Sequence, residues 1–562
     1  MTDKMKQSPP LRCVVLCDGK VFPAWQAESL RLALNSGHLE IVGLVERAPT
    51  RDDANHGKWR KRWRDRRIAG WRAFERIFVR PFSKAIKPVD LQEALTDVPH
   101  VIDEPIKVGR FGETPSQEAL DFVRKLNPDV IVRFAYGILA GEILNIAPYG
   151  LWSYHHGDPS KFRGQPPGYW EMASGSSVAG AILQVLSERL DAGQILHRGL
   201  FQIAPHSYAK TRDTLYFGSA PWLARVAADI RLNGWERVAG RHLGATSNGP
   251  IFRQPTNRQV AKFALTVALG VLRVQSNYKL HRQQWNCAVI DHPINEVAGL
   301  DGAEAQRKAL KSAIWMQPAH DEFFADPFGI EVANAQIKIL VERYYWSQSK
   351  GVISSLTFHN GAFCSLLDEI VEDYHQSYPY IFNTRSVKFV IPEQRASGRL
   401  RGYEITRDDR IGSPVRLQLD SDLMDLTLVE HAGKVWAFAL RDGETTNTEL
   451  YLFYADRVEE KWHAHPLNPV KSDITSARPG GTPFTINGRL FRPAQDCASH
   501  YGSAISVNEI THLSETDFEE YVIKRVEPLP NGPYPYGLHT LSQVGGSTII
   551  DGAQKQFRLW RR

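Results

Sequence analysis

Cysteine is scarce in this 562-residue chain: Cys13, Cys17, Cys287, Cys364 and Cys497 are scattered, and no two are spaced as CxxC. So sparse and odd a count excludes a disulfide scaffold and points to a reducing compartment; a cytoplasmic location is expected. No run of about 20 uncharged apolar residues occurs, so no membrane span is expected. The longest candidate, Val260 to Val274, carries Lys262 and reads as a packed helix. The opening MTDKMKQSPPLR lacks an apolar stretch of the signal-peptide kind, and export by that route is not expected. Charge is not extreme either, at a net +6 with 23% charged residues.

That small excess is concentrated. Between Lys58 and Arg80 ten Lys/Arg stand against Asp65 and Glu75. Trp59, Trp63, Trp71, Phe74 and Phe78 fall near helical spacing beside them, an aromatic stripe along a basic helix. Residues 58–80 suit an anionic membrane surface or phosphate groups; equally, the stripe docks on the parent domain and leaves its arginines in water. Nucleic acid is not an expected partner, because one basic element has no accompanying motif.

The length requires two or three domains. From 11 to 235, strand-like runs (CVVLC, IVGLV, DVIVRF) alternate with helical patterns, which predicts an α/β domain with a mostly parallel sheet and a basic insertion at about 50–105. Residues 236–283 read as a helical connector. From 284 to 562 the texture is all-β: short aromatic and β-branched runs broken by Gly, Asn, Asp and Pro. The landmarks FADPF, SYPYIF, DLTLVEHAGKVWAF, SARPGG and GLHTLS recur at roughly 50-residue intervals, the size of a four-stranded propeller blade, so five blades are expected.

Chemistry is expected where polar residues interrupt apolar runs, in LWSYHHGDPSKFRGQPPGYWEM (Leu151 to Met172) and ERLDAGQIL (Glu188 to Leu196). His155, His156, Asp158 and Asp191 are metal-ligand types, but adjacent histidines on an extended strand diverge, and no metal is expected. These segments, with PDVIVRFAYGIL before them, resemble the 10-formyltetrahydrofolate-dependent formyltransferases, especially those acting on sugar amines. Their pattern is Asn-x-His, a loop, Tyr-Arg-Gly, a Pro before a Trp-containing helix, then Asp-x-Gly. The resemblance implies that His155 and Asp191 are catalytic and that Phe162-Arg163-Gly164 is the shaping turn. It places Ser153 where the family has its asparagine, so Ser153 or Tyr154 is expected to supply that hydrogen bond. It also implies folate contacts at Phe134, Tyr136, Gly137, Leu139, Arg163 and Gly164; read bottom-up, Gly137 merely marks a turn.

The second half resembles the five-bladed propeller at the amino-terminal end of plant glucosamine inositolphosphorylceramide transferases, related in fold to glycoside hydrolases. Asp326, Glu393, Asp425, Arg478 and Arg492 are the residues expected to contact substrate, although Asp326 and Asp425 also suit blade turns that cap backbone amides. The combined expectation is an enzyme, a formyltransferase moving a formyl group from 10-formyltetrahydrofolate to an amine of an amino sugar on a nucleotide- or lipid-linked glycan precursor, with the propeller recognising the glycan. The alternatives are a glycan-binding protein with a degenerate first domain and a propeller-type glycoside hydrolase. The sequence leaves the oligomeric state open.

Overall fold

The apolar runs of the first half become the strands of one twisted sheet. The computed structural model describes residues 9–48, 66–109, 112–188, 193–241, 249–319, 321–332, 336–384, 388–443 and 445–558. The chain divides into two compact units, Met1–Val274 and Gln275–Arg562.

In the first unit, β1 (Leu11–Cys17), β2 (Leu39–Arg47), β3 (His100–Asp103), β4 (Val130–Arg133), β5 (Leu151–His155), β6 (Val178–Val185) and β7 (Gln194–Gln202) form a sheet in the order β7-β6-β5-β4-β1-β2-β3. The five strands from β5 to β3 are parallel, and β6 and β7 are antiparallel additions. The chain winds from β1 out to β3 and returns to β4, so the order reverses beside β1 and a crevice opens at the carboxyl ends of β1 and β4. Helices α1 (Ala24–Asn35), α5 (Tyr208–Ser219) and α6 (Trp222–Asn233) cover one face, and α3 (Gln117–Leu126) the other. The Ser116 hydroxyl caps α3 by accepting the Ala119 N–H at 3.3 Å, and Asn127 in the left-handed region ends it.

Only part of the basic segment lies among the described residues. There α2 (Ala69–Phe74) runs into one π-helical turn, Glu75–Val79. Trp71 and Phe74 are buried, packing on Tyr169 and Phe263 at 5.3 and 5.7 Å, while Phe78 stays exposed. Trp59 and Trp63 lie outside the described residues. The stretch expected as a connector is instead largely part of the first unit. Its α7 (Trp235–Gly240) packs on α6 and β7, and α8 (Asn257–Leu280) places Val260 and Phe263 in the unit's core. Helical spacing of those side chains gives α8 an apolar stripe too strong to leave undocked.

The second unit holds five antiparallel sheets among the described residues, four of them with four strands and one with five. One sheet joins the two ends of the unit, because His281–Ile290 pairs along its length with Ser547–Phe557. Three sheets begin with strands that carry a bulge at the same place, and at each bulge a non-glycine residue takes a left-handed backbone: Asp326 (φ 51°), Tyr378 (φ 43°) and Asp425 (φ 49°).

Gly164 shows how tightly the first unit is closed. The short strand Arg163–Gly164 pairs with Ile251–Phe252, φ at Gly164 is 101°, and a Cβ there would stand 2.0 Å from the Phe252 carbonyl oxygen. We expect Gly164→Ala to lower stability by at least about 2 kcal/mol. Urea unfolding measures it, and an unchanged midpoint would contradict the closeness of these strands.

Candidate active site

Side-chain alternation along β5 sorts its polar residues. Trp152 and Tyr154 face the core under α1 and α6, so Ser153 and His155 point to the opposite side of the sheet. The Tyr154 hydroxyl is engaged: it lies 2.9 Å from Ser29 Oγ and accepts the Leu223 N–H at 3.2 Å. Tyr154 therefore does not take the asparagine's place. His156 is also a core residue. Its ring meets Trp25 and Tyr216 edge-on and its Nε2 lies 3.0 Å from Ser219 Oγ. Burial first, and His155 second, pull its pKa down to about 3, so it is neutral at ordinary pH.

Ser153 is 1% exposed. Its Oγ accepts from Arg133 Nε at 3.1 Å and donates weakly to the Tyr154 carbonyl at 3.4 Å. Its single O–H donor is directed into the sheet, which corrects the expectation that this hydroxyl donates to the reacting oxygen. Arg133, the last residue of β4 and the register partner of Ser153, is the cationic donor at this end of the sheet. One of its remaining N–H groups donates to the Gly137 carbonyl at 2.5 Å.

His155 ends β5 beside Gly157. A Cβ on Gly157 would lie 2.8 Å from the Phe162 carbonyl oxygen, 3.1 Å from His155 Nε2 and 3.6 Å from Glu171 Oε1. One glycine thus separates an imidazole from a carboxyl. Glu171, on α4 (Tyr169–Ala173), is 3% exposed, and its Oε1 has no hydrogen-bond partner. Burial pushes its pKa up to about 7, and Asp158 adds to the rise. Asp158 itself closes the loop, accepting from Ser160 N and Oγ at 3.0 and 2.6 Å. Next to it lies a cavity of about 270 Å³ lined by Asp158, Ser160, Ile182 and Arg198 among others. Ile182 pairs with His155 across the sheet, so the cavity adjoins the catalytic candidate and offers one charge of each sign. Asp191 lies outside the described residues.

The expected folate contacts scatter. Phe134 leans into the aromatic cluster, 5.7 Å from Trp25 and 6.1 Å from Tyr154. Tyr136, left-handed at φ 69°, donates its hydroxyl to Asp103 at 2.7 Å, and the Gly137 N–H donates to Glu113. Leu139 is buried in the core under α3, so its side chain is not a contact. Arg163 donates to the Gly249 carbonyl at 2.6 Å and Gly164 packs on Phe252; both hold the neighbouring strand.

In the second unit the structure gathers most of the expected residues into a buried ionic network. Asp326 accepts from the Tyr378 N–H and the Thr540 hydroxyl at 3.2 Å each, with His539 Nε2 3.8 Å away. Asp425 pairs with Arg478 at 2.6 Å. Burial first, then Asp425, raises Glu393 to about 8, and burial raises Asp326 to about 6. Arg492 is the exception and a correction. It is fully buried, bonded by Nε and Nη2 to Glu520 at 2.9 and 2.6 Å and to the Ser476 and Ala477 carbonyls, which leaves nothing for a ligand. Sequence reasoning missed His539 and Asp551, whose ligating atoms lie with those of Asp326 within 4.8 Å of one another, a spacing a cation could bridge. It also missed Arg133 and Glu171; a charge inside DVIVRF and inside YWEM was the available signal. One exposed ring borders the network, Tyr501, 4.8 Å from the Arg478 guanidinium and 5.3 Å from His539, and half-buried Tyr344 and Trp346 pack on Phe323 of the Asp326 strand.

Comparison with known proteins agrees with this division. The family described as Formyl transferase matches residues 82–216, and that described as Glucosamine inositolphosphorylceramide transferase 1, N-terminal, matches residues 312–528. The chain therefore joins a formyltransferase-like domain to a part like the amino-terminal region of those transferases. A glucosamine inositolphosphorylceramide transferase 1 from Oryza sativa subsp. japonica is 30% identical over 205 residues, 35% of this chain and 27% of the relative. The match thus spans about a quarter of that relative's length. A methionyl-tRNA formyltransferase from Clostridium tetani is 36% identical over 94 residues, 16% of this chain and 30% of the relative. Among solved structures, a phosphoribosylglycinamide formyltransferase from Bacillus halodurans aligns with a TM-score of 0.27 at 15% identity, covering 39% of this chain and 95% of that one.

The Glu171 carboxyl has a measurable consequence. Its folded pKa of about 7 stands above its ordinary 4.5, so the folded state keeps a proton that the unfolded chain has already released. The contribution is full below pH 4.5 and is lost as pH rises to about 7. We expect Glu171→Gln to match wild type below that window and to exceed it by about 3 kcal/mol above it, read from denaturant midpoints against pH. A difference that does not vary with pH would rule out the buried ionisation.

Proposed function

We propose that the first unit transfers a formyl group from 10-formyltetrahydrofolate to an amine of an amino sugar carried on a nucleotide- or lipid-linked glycan precursor. In this reading the second unit is a five-bladed propeller that recognises the glycan. The observation that carries it is the approach of His155, at the carboxyl end of β5, and Glu171 of α4 around Gly157, next to a cavity with charges of both signs, while Arg133 ends the adjacent strand β4 in register with Ser153. The family match over 82–216 supports the reaction class. A cytoplasmic location remains part of this reading.

The folate, when bound, supplies the formyl carbon. The chain must then take a proton from the attacking amine, stabilise the oxyanion that forms, and return a proton to the departing nitrogen. His155 meets the first and last needs, since an imidazole exchanges protons near neutral pH. Glu171 lies close enough to hold the exchanged proton, and burial keeps it near the pH where both of its forms exist. Arg133 takes over the electrostatic part of the asparagine's task, with Ser153 fixing its guanidinium. Asp191 keeps the orienting role that the family resemblance implies.

In the second unit, rings beside a carboxylate network suit a sugar, whose C–H faces stack on aromatics while its hydroxyls reach acids. Trp285 stacks on His539 at 3.8 Å but is buried, whereas Tyr501, against the Arg478 guanidinium at 4.8 Å, is exposed.

Tetrahydrofolate release, followed with a panel of nucleotide-linked amino sugars, tests the transfer. We expect His155→Ala to lower kcat at least about 100-fold and Arg133→Met to lower it about 100-fold with little change in KM. No turnover on any amine, or equal turnover by His155→Ala, would leave the glycan-binding alternative. For the propeller, we expect Tyr501→Ala to weaken retention on an immobilised glycan acceptor about tenfold without altering folate turnover on a free amino sugar. Unchanged retention would remove the ring from the glycan site.

A further inference from the structure

Helix α8 is unusual in both charge and exposure. Its 24 residues contain no Asp or Glu, while Arg258, Lys262, Arg273 and Lys279 are all cationic. Val260, Phe263, Val267 and Gly270 form the inward stripe on the first unit's core; Gly270 is so close to the β7–α5 connection that a Cβ would lie 2.0 Å from the Pro205 carbonyl oxygen. On the opposite side, at four- and three-residue steps, Leu265, Leu269 and Leu272 are 61%, 56% and 63% exposed. A soluble helix docked by one apolar stripe normally carries polar residues there.

The neighbouring element repeats the pattern. Segment 66–80 lies alongside α8: the Gly70 N–H donates to Asn257 Oδ1 at 2.9 Å, Asn257 Nδ2 donates to the Arg66 carbonyl at 2.8 Å, and Phe74 meets Phe263 at 5.7 Å. Ile77, Phe78 and Phe82 are 56%, 57% and 68% exposed. Around them Arg66, Arg67, Arg76 and Arg80 face water, and the only acid from 66 to 87 is Glu75, which reaches Arg212 at 3.4 Å. Helix α8 and the adjacent segment, with the turn that follows it at Phe82, thus present six bare apolar side chains within a field of cations.

We propose that this face of the first unit docks on an anionic lipid surface, with Leu265, Leu269, Leu272, Ile77, Phe78 and Phe82 entering the headgroup layer and the arginines pairing with lipid phosphates and carboxylates. Charge complementarity selects this occupant. A second copy of the chain would bring basic against basic across a twofold axis, whereas a bilayer supplies apolar depth and negative charge together. The docking needs both signals, because neither a short apolar stripe nor a few cations alone holds a protein on a membrane. It is independent of the formyl-transfer reading.

Cosedimentation of the full chain with phosphatidylcholine vesicles, with and without about one third phosphatidylserine, tests the proposal. Binding is expected to the anionic vesicles, to weaken with added salt, and to be at least tenfold lower on the neutral ones. The double variant Arg76→Ala/Arg80→Ala should bind about thirtyfold more weakly. Leu265→Glu/Leu269→Glu should lose at least about tenfold, with an unchanged thermal midpoint because both side chains are exposed. Absence of binding to anionic vesicles overturns the proposal, as does wild-type binding by either double variant. A dimer seen by sedimentation velocity and abolished by the leucine variant would also overturn it, since a second copy would then cover the face.

Discussion

The ring cluster of Trp25, Tyr154, His156 and Tyr216 clamps one face of β5, and the arrangement of the polar groups at the strand's end follows from that clamp. Because Tyr154 is anchored at its hydroxyl by Ser29 and Leu223, β5 can neither rotate nor slip by one residue without exposing Trp152 and burying Ser153 in apolar surroundings. Ser153 and His155 are therefore held toward the crevice side. Two adjacent histidines consequently have opposite fates. One is a neutral core residue bonded to Ser219, and the other stands at the strand's end beside Glu171.

A different constraint governs the second unit. Asp326, Tyr378 and Asp425 occupy left-handed backbone at matching bulges in three successive sheets, a conformation that costs of order 1–3 kcal/mol for each such residue. The surroundings that maintain it are ionic and hydrogen-bonded: Asp551 accepts the Asp326 N–H, Asp326 accepts the Tyr378 N–H, and Arg478 pairs with Asp425. Asp326 and Tyr378 are each held by an acid from another sheet, and Asp425 by Arg478 of the segment that precedes Phe484–Ile486, so the network ties the first strands of these sheets together. His539 joins the same network, where burial alone would lower its pKa but Asp551 and Asp326 raise it. Acid groups held this way are part of the scaffold, and Tyr501 stands exposed at their rim.

The layout of the first unit was legible because its strands are buried on both faces and read as unbroken apolar runs, CVVLC, IVGLV and DVIVRF. The landmarks of the second half were legible because bulges and turns demand particular residues, and the first-strand bulges of three sheets fall on three of them. What could not be read was direction. The sequence places Ser153, Tyr154 and His155 side by side, but only the clamp shows which of them faces the crevice. Glu171 went unremarked inside YWEM, since burial of a charged residue depends on tertiary neighbours. Arg492 looked available for the same reason in reverse; its partner Glu520 is 28 residues away in the chain. Helix α8 read as a connector because its two apolar stripes appeared in the sequence as one hydrophobic run.

Glu171 also bears on how the two chemistries at the β5 end are divided. A buried carboxyl whose Oε1 lacks a hydrogen bond is costly when ionised, and a glutamine or leucine would fill the volume of α4 without that penalty. Its ionisation near pH 7 means that the group beside His155 changes charge in the range where an imidazole does. In the proposed transfer, a group that holds and returns a proton near neutral pH is what the amine and the leaving nitrogen require. His156 cannot serve, since its pKa of about 3 keeps it unprotonated throughout. Asp158 is already committed to Ser160. Among the described residues, the carboxyl of α4 is the group whose position and ionisation both match the need.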